Sequence, residues 1–143
     1  MTRVLTGHCL CGAVMITVAG AHDPRAAACH CRMCQRWSGG LFLSFEADAA
    51  GVTVEGPVAR YASSSFAERA FCAVCGSHLW VQDFGDTIYE LMPGLFDAAI
   101  NWPLRSEIYV DRAMASVSLG GDHARATRAD YEMKNHFVAG DAL

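Results

Sequence analysis

The residues best suited to chemistry in this chain are its seven cysteines, which fall into three tight groups. These are Cys9-Leu10-Cys11, then Cys29-His30-Cys31-Arg32-Met33-Cys34, then Cys72-Ala73-Val74-Cys75. C-x-C and C-x-x-C spacings let two thiolates converge on one soft ion such as zinc. A four-thiolate structural zinc site uses four cysteines, and the two outer pairs supply four. The central trio is left over, and three thiolates on an ion leave one coordination position open, where chemistry can take place.

Two other uses of cysteine fit the spacings less well. A disulfide framework needs an oxidising compartment and partners of suitable geometry, and the opening Met-Thr-Arg-Val-Leu-Thr-Gly-His-Cys has no apolar run of signal-peptide length. A thioredoxin-like redox pair at Cys72 and Cys75 would open a helix in a βαβ unit, and no such alternation is present.

Within the outer pairs, Cys9 and Cys11 share one face of an extended segment. Cys72-x-x-Cys75-Gly76 has the form of a zinc knuckle, in which backbone N–H groups turn toward sulfur and the glycine relieves the bend; Gly12 follows Cys11 in the same way. These four residues are assigned to a structural zinc. In the trio, Cys29 and Cys31 would share a strand face, His30 would point away, and Cys34 would return one turn later. His30 as a fourth ligand is awkward because both its neighbours are ligands. His8 and His78 suit roles beside the structural ligands or on the surface.

Three thiolates on Zn²⁺ leave a formal charge of about −1 and a weak Lewis acid, which disfavours hydroxide formation. An exogenous thiol can occupy the open position, lose its proton there and remain nucleophilic. Arg32 and Arg36 flank the trio and could fork onto carboxylates of a thiol-bearing peptide, or simply lie on a solvated surface. Ser38 could contact substrate or cap a local turn.

The elements that must carry these groups read as mainly β. Short segments with β patterning lie at 14–18, 41–45, 52–55, 58–62, 66–71, 79–82, 87–92, 107–110 and 115–119, separated by glycine, proline or serine. They predict antiparallel sheets. A turn or short helix is expected from Cys31 to Trp37, ended by Gly39 and Gly40. Thr127 with Asp130 marks the start of a C-terminal helix running to about Phe137. The 143 residues, 52% hydrophobic, are read as one domain, 1–143. A net charge of −4 argues against nucleic-acid and membrane-surface partners. No apolar run reaches membrane-span length, and a cytoplasmic location is expected.

The motifs Gly7-x-Cys9-x-Cys11-Gly12-x-Val14, Cys29-His30-Cys31-x-x-Cys34, Ser38-Gly39, Tyr61-x-Ser63-Ser64 and Arg69-x-Phe71-Cys72-x-x-Cys75-Gly76-Ser77-x-Leu79 occur in this order. In them the chain resembles the glutathione-dependent formaldehyde-activating enzymes, or CENP-V/GFA domain, over about residues 5–112. The resemblance implies an Mss4-like fold of antiparallel sheets organised around zinc. It implies two zinc ions, a structural one on Cys9, Cys11, Cys72 and Cys75 and a catalytic one on Cys29, Cys31 and Cys34. The implied activity is that of a carbon–sulfur lyase, condensing glutathione with formaldehyde to S-hydroxymethylglutathione. Departures from the pattern occur at Pro93-Gly94-Leu95-Phe96-Asp97 and at Glu107-Ile108-Tyr109, where the family usually has His-Ile-aromatic, and a tryptophan expected after Asp111-Arg112 is absent. Residues 120–143 have no counterpart.

Two functional classes follow. One is an enzyme joining glutathione or a related thiol to a small aldehyde or other electrophile. The other is a noncatalytic zinc-binding module that holds a thiol or partner without turnover.

Overall fold

The computed structural model describes residues 3–138. In chain order its elements are β1 (Leu5–His8), β2 (Met15–Val18), β3 (Ala26–Cys29), α1 (Arg32–Ser38), β4 (Phe42–Asp48), β5 (Val52–Glu55), β6 (Val58–Ala62), β7 (Ala67–Cys72), β8 (His78–Asp83), β9 (Ile88–Leu91), β10 (Leu104–Ile108), β11 (Ala124–Ala126) and α2 (Arg128–Lys134), with four short 3₁₀ turns between them. The protein is mainly β, with a short helix after the second cysteine group and another near the C-terminus. Two compact units form, one from residues up to 24 together with 44–102, the other from residues 25–43 together with those from 103 on.

In the first unit the strands pair antiparallel, as the alternation predicts. One sheet has the order β1-β2-β5, in register from Leu5↔Val18 and from Val18↔Val52. In the other, β4 from Phe45 onward pairs with β9, β9 with β8, β8 with β7 and β7 with β6. The alternating residues Val14, Ile16 and Val18 enter a core with Leu5, Phe45, Leu79, Trp80, Leu91 and Phe96. Phe45 meets Phe96 and Trp102 edge to face, at 5.4 and 4.9 Å between centroids, an arrangement favoured by the ring quadrupoles. Cys9 and Cys72 belong to this same core, so packing fixes one cysteine of each outer pair.

The second unit departs from the expected antiparallel pattern. Here β10 runs parallel to both β3 and β11, with Ile108 opposite Cys29 on one side and Ala126 on the other. Parallel neighbours need a long connection, and residues 109–123 provide it between β10 and β11. The strand expected at 115–119 is absent: Val117 N–H closes a turn onto Met114 O (2.9 Å), and Ala124–Ala126 takes the place beside β10.

Thr127 and Asp130 form a complete reciprocal capping box, the aspartate filling the position usually held by glutamate. Helix α2 ends at Lys134 rather than near Phe137, because the Asn135 side chain donates to Tyr131 O (2.9 Å) and competes with further helical turns. Among the described residues no helix is long and apolar enough to cross a membrane.

Candidate metal centres

The first unit gathers Cys9, Cys11, Cys72 and Cys75 into one cluster of four sulfurs, all within 4.8 Å of one another. Cys9 Sγ lies 3.6 Å from Cys11 Sγ, and Cys11 Sγ lies 3.9 Å from Cys72 Sγ. A tetrahedron with metal–sulfur bonds of about 2.3 Å, the zinc value, has edges of about 3.8 Å. The thiols therefore already stand at the spacing a tetrahedral ion needs.

Backbone turns create this spacing. Val14 N–H points at Cys9 Sγ (3.3 Å), while Val74 and Cys75 N–H point at Cys72 Sγ (3.4 and 3.5 Å). Gly12 and Gly76 take φ of 80° and 77°, the left-handed bend expected of them. The Ser77 hydroxyl ties the two knuckles together: it accepts from Leu10 N–H at 3.0 Å and lies 3.2 Å from Cys75 Sγ.

Crowding splits the thiols. Hydrogen bonds from the side chain and backbone of Ser77 lower Cys75 to a pKa of about 5. Cys11 receives a backbone hydrogen bond from Ala13, yet burial and the thiols of Cys9, Cys75 and Cys72 push it up to about 11. Four thiols this close resist joint ionisation unless a cation sits among them.

The second unit gathers the trio. Cys29 ends β3, Cys31 is the N-cap of α1, and Cys34 is buried in the helix's first turn, so their sulfurs converge within 4.8 Å. Cys34 N–H caps onto Cys31 Sγ at 3.4 Å. Cys29 is pushed well above the ordinary thiol range, first by Cys31 and Cys34 and then by burial. A divalent cation would relieve that repulsion, and a three-sulfur donor set suits a soft ion with one position left open.

His30 is not among the converging groups, and its ring engages Glu107 instead. It is only 2% exposed, and its Nε2 lies 2.8 Å from Glu107 Oε1. The other Glu107 oxygen meets His123 Nε2 at 2.5 Å and Arg125 Nε at 3.2 Å. Burial raises the Glu107 pKa, but hydrogen bonds from His123 and His30 outweigh it and leave the carboxyl below its ordinary value. Tyr109 follows β10 with φ 56°, the one positive-φ residue other than glycine among those described, and its buried hydroxyl donates to Glu132 Oε1 (3.1 Å).

Arg32 and Arg36 lie exposed on α1. Ser38 is committed to the helix end, where its hydroxyl donates to Cys34 O (2.8 Å) and accepts from Gly40 N–H (3.3 Å). Sequence reasoning singled out the position of Glu107 only as a departure and missed His123 altogether. The sole local signal was an acid, Glu107, opening a predicted strand; nothing near His123 marked it.

Residues 4–112 match the sequence model of the glutathione-dependent formaldehyde-activating enzyme family. The chain belongs to that family. It is 34% identical over 107 residues to an uncharacterised lyase of Schizosaccharomyces pombe, covering 73% of this chain and 77% of the relative. It is also 34% identical over 91 residues to a provisionally named glutathione-dependent formaldehyde-activating enzyme of Halomonas elongata, covering 56% of this chain and 57% of that protein. A crystal structure of a Rhodobacter sphaeroides protein aligns with a TM-score of 0.56 at 20% identity, over 85% of this chain and 99% of that one. At that identity the likeness is one of fold. The family and these relatives point to lyase chemistry dependent on glutathione, and the two sulfur clusters could each hold a metal ion.

Proposed function

We propose that the protein is a zinc-dependent carbon–sulfur lyase that joins glutathione to formaldehyde at Cys29, Cys31 and Cys34, while Cys9, Cys11, Cys72 and Cys75 hold a structural zinc. The observation that carries this reading is the trio itself, three converging thiols beside a histidine already engaged elsewhere. Zinc held there would supply a vacant position at which a thiol loses its proton more readily than in water.

The chain's own residues do the rest. Cys29 and Cys31 are presented by the end of β3 and Cys34 by the first turn of α1, so the three donors come from one short ribbon of backbone. Arg32 and Arg36, on the exposed face of the same helix, supply positive charge for the carboxylates of a peptide thiol. In the condensation a C–S bond forms to the aldehyde carbon, the C=O π bond breaks, and the thiol proton ends on the new hydroxyl oxygen. No redox partner is needed. A cytoplasmic setting, with its reduced thiol pool, suits this chemistry.

The test is formaldehyde consumption with and without glutathione, above the uncatalysed rate. Zinc-loaded protein should accelerate it, and Cys34→Ala should abolish the acceleration while leaving the circular dichroism spectrum of the native protein. Absence of acceleration together with absence of glutathione binding by calorimetry would reject the assignment in favour of a noncatalytic zinc module.

A further inference from the structure

The catalytic reading leaves unused a buried polar chain in the second unit, and part of that chain comes from beyond the family match at residues 4–112. His30 is fixed at three points: its N–H donates to Ile108 O (3.1 Å), its carbonyl accepts from Gln35 Nε2 (2.7 Å), and its ring meets Glu107 Oε1 (2.8 Å). Since Cys29 and Cys31 flank His30, whatever sets its backbone also sets the directions of two of the three sulfurs.

Glu107 is itself held from the far side. His123, with its side chain 1% exposed, and Arg125 both come from the segment carrying β11 and converge on Oε2. A carboxylate has two acceptor oxygens and no hydrogen to donate, so it can receive an N–H from each histidine at once. Both rings are then held with the hydrogen on Nε2.

We propose that Glu107, braced by His123 and Arg125, is the positioning residue that fixes His30 and thereby the geometry of the Cys29, Cys31 and Cys34 site. The inference rests on the proposed function only for its catalytic consequence; the geometry stands without it. It gives the segment past residue 120 a part in building the site. In that reading the acidic residue at 107 and the histidine at 123 work as a pair, since either alone would leave a buried polar group without its complement.

Glu107→Gln is the discriminating variant. Glutamine keeps the size but offers one acceptor oxygen, and its NH₂ meets the N–H of one of the two histidines head on. The full chain is loaded with cadmium-113 and its resonances recorded, the trio's signal being identified as the one lost in Cys34→Ala. In E107Q the trio signal should shift or broaden while the four-thiolate signal stays in place, and release of that metal to a chelator should rise about 10–100-fold. Turnover should fall over a similar range with the glutathione KM changed less than about 2-fold, the split expected of an effect on geometry rather than binding.

His123→Ala should move the same signal, and His123→Gln, whose amide can still donate to Glu107, should restore it in part. An unmoved trio signal in both E107Q and H123A overturns the proposal, as do equal shifts of both signals, which report general loosening. If E107Q does not fold, H123A and Arg125→Ala decide by the same criterion. A wild-type protein lacking thiol-dependent formaldehyde consumption, but with a trio signal that responds to E107Q, would reject the proposed function and leave the positioning role standing.

Discussion

At the scale of single residues, neighbouring thiols of the same cluster differ widely in acidity. Cys75 sits at about 5 because the Ser77 side chain and backbone donate to it, whereas Cys11 sits at about 11 in spite of a backbone hydrogen bond, raised by burial and adjoining sulfurs. The thiolate is the nucleophile toward alkylating reagents, so near neutral pH Cys75 is ionised and Cys11 is not. In reduced protein treated briefly with iodoacetamide at neutral pH immediately after metal removal, while circular dichroism still reports the native fold, Cys75 should be labelled well ahead of Cys11, although Cys11 is the more exposed. Moving to pH above 11 should erase the difference. Peptide mapping by mass spectrometry checks this, and restoring zinc should protect both. Equal labelling at neutral pH would show that Ser77 does not single out Cys75.

At the scale of elements, the sequence was most readable where side chains alternate and least where they are small. The patterns at 14–18, 52–55 and 58–62 became β2, β5 and β6 nearly residue for residue; β2 and β5 turn alternate branched side chains toward the core, whereas β6 packs Val58 against it and leaves Arg60, Tyr61 and Ala62 exposed. Strand β11 went unseen and β3 was anticipated only at Cys29, because Ala-Ala-Ala-Cys and Ala-Arg-Ala carry no strand preference of their own. They are extended only because β10 lies beside them. The cysteine grouping was legible for the opposite reason, since ligand spacing is local and survives any choice of fold, whereas the Glu107–His123 contact spans 16 residues of chain with no periodic signal.

One tight turn shows how little freedom the connections have. Gly56, between β5 and β6, has φ 116°, and a Cβ added there would stand 2.1 Å from the carbonyl oxygen of Ala13. Gly56→Ala should therefore destabilise the protein by at least about 1–3 kcal/mol from the backbone conformation alone, with the clash adding to it. Urea denaturation monitored by tryptophan fluorescence measures the loss. A variant as stable as the parent would mean that the turn can be rebuilt at no cost. The Thr127 cap offers a milder counterpart: Thr127→Ala removes one half of the capping box and should cost about 1 kcal/mol, confined to α2.

At the scale of the whole molecule, the two sulfur clusters differ in how much chain they close. The cluster of four joins segments 61 residues apart at Cys11 and Cys72, while the trio lies within a single stretch from Cys29 to Cys34. Closing a long loop lowers the entropy of the unfolded chain, so a metal bound by the four thiols stabilises the fold itself; one bound by the trio constrains almost no chain beyond its own turn. Two of these four cysteines, Cys9 and Cys72, are also core residues packed with Ile16, Leu79 and Trp80, so release of an ion held there would open the apolar centre of the first unit. Stepwise titration with a chelator should accordingly separate two events. The first equivalent of metal lost, from the trio with its open position, should remove thiol-dependent activity with little change in circular dichroism or tryptophan fluorescence. The second should bring cooperative unfolding of the first unit. Cys72→Ala should reproduce the second event without chelator, and Cys34→Ala the first. Unfolding that coincides with the first equivalent would show the trio to be a structural centre, and the division of labour between the two clusters would have to be abandoned.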